Sequence, residues 1–281
     1  MMLITGASGQ LGRLVIDNLL KTTPANQIIA AVRNPEKNAD LAEKGIQVRQ
    51  ADYNDFDSLV AAMEGVDKVL LISSSEVGQR TPQHGNVINA AKQTGVSLIA
   101  YTSILNADTS TLILAEEHVA TEKLLADSGV PYVLLRNGWY SENYTMGIAT
   151  ALEYGVVGCA GDGKLSTAAR ADYAAAAAAV LVKEGQAGKV YELAGDNAFT
   201  LSEYAAALTK VSGKTVTYQN VPEAEYAKIL VGAGLSEGFA AILANSETGA
   251  SQGGLFSDSK DLSTLIGRPT TPIEDSIKAA L

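Results

Sequence analysis

Residues 3–20, LITGASGQLGRLVIDNLL, contain a short apolar run, a glycine-rich turn and a helix-like pattern of apolar positions. The turn places Gly6, Gly9 and Gly12 at a spacing of three residues. In parallel α/β sheets, glycines in such a turn permit a tight bend, let a diphosphate approach the backbone, and let helix and strand pack closely. Free N–H groups and the helix dipole then stabilise the anion. The stretch therefore predicts a nucleotide-binding α/β fold, with an ordinary structural turn as the alternative.

The alternation of apolar strands and amphipathic segments continues through the first half of the chain. This pattern is typical of a parallel sheet covered by helices on both faces. We therefore predict a Rossmann-type, doubly wound α/β domain over residues 1–143, completed by part of 165–195, and a smaller α/β substrate domain mainly over 144–281. The glycine- and alanine-rich stretch 232–255 gives no clear assignment. The further predicted strands of the first half are 28–33, 46–52, 68–73, 97–103 and 132–138.

Composition and charge exclude several classes of protein. The chain is 47% hydrophobic and 19% charged, as in globular proteins, and its net charge of −10 with no basic run argues against nucleic-acid binding. One cysteine and two histidines make a disulfide or an ordinary metal site unexpected. No leader or membrane-spanning segment is recognisable. We therefore expect a cytoplasmic protein without a metal, nucleic-acid or membrane partner, and the oligomeric state is left open.

The end of the second predicted strand indicates which nucleotide binds. Nucleotide sites that prefer NAD carry an acidic residue about 20 positions after the glycines, where it binds the ribose 2′-OH. The corresponding stretch here is AAVRN (30–34), which offers Arg33. A guanidinium presents forked donors that suit a 2′-phosphate. We therefore predict NADPH as the cofactor; the alternative is that Arg33 stacks on the adenine without selecting a phosphate.

Six short motifs together carry a family resemblance that covers essentially the whole chain. They are ITGASGQLG (4–12), AAVRN (30–34), QADYND (50–55), LLISSSEVGQR (70–80), YTS (101–103) and LLRNGWYSENY (134–144). The chain resembles the NmrA-like branch of the atypical short-chain dehydrogenases. Within that branch it is most similar to the bacterial NADPH-dependent quinone oxidoreductases of type two, and triphenylmethane reductases are more distant. The resemblance implies the sheet order 3-2-1-4-5-6-7 and a cleft between two domains.

The resemblance also implies a set of cofactor-binding residues at the carboxyl ends of strands, where open parallel sheets bind their ligands. For Ser73 to Ser75 the alternative is an ordinary turn, and for Trp139 it is packing at the domain junction. The implied residues are Gly6, Ala7, Ser8, Gly9, Gln10, Leu11 and Gly12 at the diphosphate, Arg33 at the 2′-phosphate, Asp52 and Tyr53 near the adenine, Ser73, Ser74 and Ser75 beside the ribose and nicotinamide, and Gly138, Trp139, Tyr140, Ser141, Glu142 and Asn143 at the nicotinamide end.

One departure from the family pattern bears on the reaction. Short-chain dehydrogenases reduce carbonyls with a Tyr-x-x-x-Lys pair, but in EEHVATEK (116–123) these positions hold His118 and Glu122. The resemblance therefore favours an acceptor that needs no proton-donating pair, namely a small quinone. Asn143 is the predicted hydrogen-bond donor near the acceptor, and His118 is a second catalytic candidate. The alternatives are an NADP-binding redox sensor without turnover, or a reductase of cationic dyes.

Overall fold

The computed structural model describes residues 1–281, which form two compact units. The predicted domain division at residue 143 stays a prediction, and in the structure residues 138–143 pair with a later stretch of the second unit. There, the N–H of Ser141 donates to the carbonyl of Ala168, and the N–H of Ala168 donates to that of Trp139. The first unit comprises residues 1–104, 117–137 and 171–191, and the second comprises 105–116, 138–170 and 192–281.

A seven-stranded sheet has the order β3-β2-β1-β4-β5-β6-β8. Its pairings from β3 to β6 are parallel, with Leu3 opposite both Ile29 and Val69. The predicted order is confirmed, although the last strand of the sheet is the eighth in the chain because β7 pairs with β9 separately. The strands are β1 (Met2–Ile4), β2 (Ile28–Val32), β3 (Gln47–Gln50), β4 (Lys68–Leu71), β5 (Leu98–Ile104), β6 (Tyr132–Asn137), β7 (Val156–Gly158), β8 (Val190–Leu193) and β9 (Tyr218–Asn220).

Thirteen α-helices accompany the strands, and none combines the length and apolar character needed to cross a membrane. One of them, α11, occupies most of the stretch 232–255 that the sequence left unassigned. The helices are α1 (Gln10–Leu19), α2 (Ala39–Glu43), α3 (Phe56–Met63), α4 (Arg80–Thr94), α5 (Ile113–Ser128), α6 (Glu142–Thr145), α7 (Ile148–Tyr154), α8 (Arg170–Val182), α9 (Leu201–Ser212), α10 (Glu223–Gly232), α11 (Glu237–Ser251), α12 (Asp261–Ile266) and α13 (Ile273–Ala280).

The core of the first unit explains why its strands read as continuous apolar runs. Every residue of β2 and β5 is buried, because helices cover both faces of the sheet. Each fully buried Leu, Ile or Val stabilises the fold by about 1.5–3 kcal/mol relative to an exposed position. Side chains from the strands and from α3 and α4 form one cluster, which includes Leu3, Ile29, Leu59, Met63, Val69, Val87, Ile99 and Tyr101.

The glycine-rich turn between β1 and α1 is set by two backbone constraints. Gly6 has a φ of +57°, in the left-handed region that side chains disfavour. A Cβ on Gly12 would lie 2.5 Å from the Gly6 carbonyl oxygen and 2.7 Å from the Cα of Ala7. Only glycine therefore permits this approach of α1 to the end of β1. Gly9 has an ordinary φ of −76°, and its predicted role at a diphosphate stays a prediction.

We predict that Gly12→Ala lowers the free energy of unfolding by about 1–3 kcal/mol, because the new methyl group meets backbone atoms that cannot move aside. Urea unfolding followed by circular dichroism measures this change. Gly85→Ala in α4 is the matched control, since its Cβ meets only the Leu124 Cδ1 at 3.8 Å. That variant should be unchanged or more stable by about 0.5–1 kcal/mol. Equal losses in the two variants would contradict the steric explanation.

Candidate functional site

The first unit gathers four of the predicted segments along one edge of its sheet. Gly6 follows the end of β1, Arg33 follows β2, Asp52 comes shortly after β3, and Ser73 comes shortly after β4. These strands are neighbours in the order β3-β2-β1-β4. Because they run parallel, their carboxyl ends meet at the same edge, where open α/β sheets bind ligands.

The start of α1 is built to receive an anion. No side chain caps the helix at Gly9, and its first turn contains no acidic residue. The unpaired N–H groups and the dipole at a helix start favour a negatively charged ligand. Arg13 adds a positive charge one turn into the helix, where its Nε donates to the Ser8 carbonyl at 3.3 Å and its guanidinium pairs with Asp40. The cradle under Gly12 and the uncapped helix start therefore fit the diphosphate of a dinucleotide.

Arg33 is positioned to reach a ligand from solvent. Its side chain is 75% exposed, and the nearest carboxylate oxygen is Oε1 of Glu76, 3.8 Å from its Nη1. That separation exceeds hydrogen-bond distance. The guanidinium donors therefore remain able to bind a phosphate in the bidentate manner that arginine favours.

Tyr53, which is predicted to lie near the adenine, makes hydrogen bonds within the protein through its hydroxyl. The hydroxyl lies 2.7 Å from the Ile72 carbonyl oxygen and 2.5 Å from the Thr5 Oγ1, so it links the ends of β1 and β4. Burial raises the pKa of Tyr53 above its ordinary value, which keeps the hydroxyl neutral. The neighbouring Asp52 accepts from the N–H of Asn54 at 2.9 Å. The adenine contact of both residues stays a prediction.

The segment from Ser73 to Ser75 is held by its backbone. The N–H of Ser73 donates to the Thr102 Oγ1 at 2.8 Å, and the N–H of Ser74 donates to the His84 Nε2 at 2.9 Å. His84 is buried, and its Nδ1 lies 2.9 Å from the Thr121 Oγ1. Ser75 alone among the three serines is exposed. The backbone of this segment is therefore ordered, and its contact with the ribose and nicotinamide stays a prediction.

Glu117 fastens the rest of this loop, which is a feature that the sequence reading missed. Its carboxylate accepts the backbone N–H groups of Gly78 and Arg80, each at 2.9 Å, and so caps the start of α4. The Arg80 Nε in turn donates to the Ser74 carbonyl oxygen at 2.6 Å. Glu117 lies 39 and 37 residues from these two partners in the sequence, so no local pattern predicts the contacts.

His118 is buried in a closed polar network. Its Nδ1 lies 2.7 Å from the Tyr101 hydroxyl, and its Nε2 lies 3.4 Å from the Arg80 Nη1. Because arginine can only donate, Nε2 is the acceptor and Nδ1 carries the proton. Burial, and then the charge of Arg80, lowers the pKa of His118 from 6.5 to about 3. The imidazole is therefore neutral at physiological pH, and these contacts favour a structural role over the predicted proton transfer.

Glu122, at the other position of the missing pair, belongs to a buried ion pair. Its Oε1 accepts from the Arg136 Nε at 3.0 Å and from the Ser103 hydroxyl at 2.6 Å, while its Oε2 accepts from the Arg136 Nη2 at 2.8 Å. The two side chains are only 13% and 9% exposed. At the position of the family lysine, this chain therefore has a carboxylate that forms an ion pair with Arg136.

Residues 138–143 form an ordered strap within the second unit. The Ser141 Oγ lies 2.9 Å from the Thr167 Oγ1. Both carboxylate oxygens of Glu142 accept the N–H of Arg170, at 2.9 and 3.0 Å, and so cap the start of α8. The Arg170 guanidinium lies 4.6 Å from the centre of the Tyr140 ring. Ser141 and Glu142, both predicted to bind cofactor, thus serve the fold through these contacts, and their cofactor role stays a prediction.

Two asparagines near this strap offer amide groups to a ligand. Asn143, in α6, is exposed. Asn137, at the end of β6 in the first unit, is only 8% exposed, and its Oδ1 has no hydrogen-bond donor. A buried carbonyl oxygen without a donor is unfavourable, and it fits an N–H group of a ligand. Sequence reasoning did not single out Asn137, which lies within the predicted strand 132–138.

We predict that Glu122→Lys lowers the free energy of unfolding by about 3–5 kcal/mol, because it removes the partner of Arg136 and buries a second cation beside it. Thermal and urea unfolding measure the loss. Lys123→Gln is the matched control, because Lys123 is exposed and pairs only with Asp127 one turn further along α5. It should unfold like the unaltered protein, and a similar loss there would show that α5 tolerates no change of charge.

We also predict that stability falls as the pH drops from 7 towards 5.5. Burial, and then the charge of Arg80, lowers the pKa values of His84 and His118 to about 3, whereas unfolded histidine titrates near 6.5. The unfolded chain therefore takes up protons first, and each histidine contributes a loss of up to about 1.4 kcal/mol per pH unit below 6.5. Urea unfolding at several pH values measures the slope. A wild-type slope no steeper than that of the His84→Gln, His118→Gln double variant would refute the prediction.

Comparisons with known proteins show which family the chain belongs to. Quinone oxidoreductase 2 of Escherichia coli is 63% identical over 278 residues, which cover 99% of this chain and 97% of that protein. The crystal structure of an Escherichia coli NADPH-dependent quinone oxidoreductase complexed with NADPH matches with a TM-score of 0.97 at 62% identity, over 99% of both chains. The Citrobacter triphenylmethane reductase complexed with NADP(H) matches with a TM-score of 0.96 at 42% identity, over 100% of both chains. The model of the NAD(P)H-binding family matches residues 6–184. The chain belongs to the NAD(P)H-binding family.

Proposed function

We propose that this chain is an NADPH-dependent quinone oxidoreductase that delivers hydride to a small quinone. The main support for this reaction comes from the contacts of the residues at positions 118 and 122. His118 is neutral and bonded on both ring nitrogens, and Glu122 is locked to Arg136, so neither supplies a proton to a substrate. The 63% identity to quinone oxidoreductase 2 supports the same conclusion.

The first unit provides the groups that hold the cofactor. The start of α1 binds the diphosphate, and Arg33 binds the 2′-phosphate with donors that no protein group occupies at hydrogen-bond distance. The unpaired Oδ1 of Asn137 accepts an N–H of the nicotinamide carboxamide, which removes an unfavourable buried acceptor. When bound, NADPH supplies the hydride.

The acidity of the product explains why a quinone suits this site. Hydride addition to a ketone gives an alkoxide whose conjugate acid has a pKa of about 16, similar to that of water. Hydride addition to a quinone gives a phenolate-like anion whose conjugate acid has a pKa of about 10. The difference corresponds to about 8 kcal/mol of anion stability that the protein need not provide. The hydroquinone monoanion then takes the one proton that it needs from solvent.

The polar and aromatic strap 138–143 lies in the second unit. We assign Asn143 to hydrogen bonding with the quinone oxygen, because its amide is exposed on α6. Tyr140, whose ring is stacked against Arg170, is assigned to the side of the quinone slot. Both assignments are predictions from the family motif, and the exposure of the side chain supports only that of Asn143.

Reduction of cationic dyes is a second candidate function, favoured by the match to triphenylmethane reductase at 42% identity. A carbocation accepts hydride without any acid, so the same residues at positions 118 and 122 are compatible with it. A cytoplasmic location is proposed with either function.

We predict that the purified protein oxidises NADPH with benzoquinone and naphthoquinone analogues and leaves simple ketones unreduced. Loss of absorbance at 340 nm, the wavelength at which NADPH absorbs, measures the rate against a panel of quinones, triphenylmethane dyes and ketones. Within the panel, Asn143→Ala should lower turnover with quinones while the Kd for NADPH stays unchanged. NADPH binding without oxidation by any compound would refute the proposed reaction, and ketone reduction at the quinone rate would refute the acidity argument.

A further inference from the structure

Glu76 lies at the phosphate end of the cofactor site proposed above. It is part of the loop between β4 and α4, and its side chain is 48% exposed. Its Oε1 is 3.8 Å from the Arg33 Nη1, and its Oε2 accepts from the Gln83 Nε2 at 2.8 Å. The carboxylate thus faces the guanidinium that receives the 2′-phosphate, while a buried amide holds it from the other side.

We propose that Glu76 reduces the preference for NADPH over NADH, because its carboxylate competes with the 2′-phosphate for Arg33. This inference rests on the 2′-phosphate role of Arg33 in the proposed function. The two anions differ in binding mode. A phosphate engages the guanidinium through two short hydrogen bonds, whereas the carboxylate at 3.8 Å makes only a solvent-exposed ion pair, which is weak. The phosphate therefore displaces the pair.

The carboxylate cannot retreat far once it is displaced from Arg33. The backbone N–H of Glu76 donates to the Ser74 hydroxyl at 3.1 Å. The side-chain amide of Gln83, a residue that is 2% exposed, donates to the Glu76 Oε2. Glu117 binds the next turn of the same loop through the N–H groups of Gly78 and Arg80. Glu76 therefore stays close to the 2′-phosphate and repels it.

NADH responds differently because it has a hydroxyl in place of the 2′-phosphate. A hydroxyl carries no charge to repel and can donate a hydrogen bond to a carboxylate. Glu76 thus weakens NADPH and is neutral or favourable towards NADH. A charge interaction at this distance in an exposed site is worth roughly a factor of five in affinity, and salt reduces it.

The test measures Kd for NADPH and for NADH separately, by quenching of the single tryptophan's fluorescence or by calorimetry, at low ionic strength and at 0.5 M NaCl. Glu76→Gln keeps an acceptor for Gln83 and removes the charge, so it should tighten NADPH about fivefold without tightening NADH. Glu76→Lys should tighten NADPH further. Both gains should shrink in high salt because the groups are exposed.

Glu64→Gln is the matched control, since it removes one exposed negative charge between α3 and β4, at the opposite edge of the sheet. It should leave both Kd values unchanged. Unchanged or weaker NADPH binding by Glu76→Gln, or an equal gain in the control, would overturn the proposal. Thermal unfolding of each variant identifies any loss of fold. A protein that binds both cofactors yet reduces no quinone would refute the proposed reaction and leave this binding test intact.

Discussion

The close approach of α1 to β1 at Gly12 is the constraint on which the nucleotide edge of the first unit depends. With 2.5 Å between the position of a Cβ and the Gly6 carbonyl oxygen, no larger residue fits. The left-handed Gly6 turns the chain so that α1 starts at the carboxyl edge of the sheet. The N–H groups of that helix start then face the same edge as the ends of β2, β3 and β4. A short backbone contact therefore places the start of α1 at the same edge of the sheet as Arg33.

On the inner face of α5, side chains make structural contacts on a helix that carries a proton-donating pair in the short-chain dehydrogenases. Glu117 caps α4, His118 bonds to Tyr101, and Glu122 pairs with Arg136. Each of these groups has its hydrogen-bonding capacity used by the protein and is poorly suited to exchanging protons with a substrate. Such a site supports the reduction of an acceptor whose product anion is intrinsically stable, such as a quinone.

The cofactor edge combines attraction and repulsion within a few ångströms. Under the proposed function, Arg33 and the start of α1 attract phosphates, whereas Glu76 adds a negative charge that a loop with several backbone anchors keeps close to Arg33. The net charge of −10 does not prevent binding of an anionic cofactor, because local N–H groups and a single guanidinium act at short range.

The amino-acid sequence by itself determined the α/β class, because strand–helix alternation is a local pattern, and the family resemblance implied the order of the sheet, which is confirmed. The residues of the nucleotide site stay predictions. Arg33 indicated the cofactor because it too belongs to a local pattern, and the resemblance to the quinone oxidoreductases is confirmed. Only the tertiary structure decided that His118 is neutral, that Glu122 belongs to Arg136, and that Glu142 caps α8. Burial and hydrogen-bond partners come from residues that are distant along the chain. A sequence pattern states which groups are present, and the fold determines which of them remain available for chemistry.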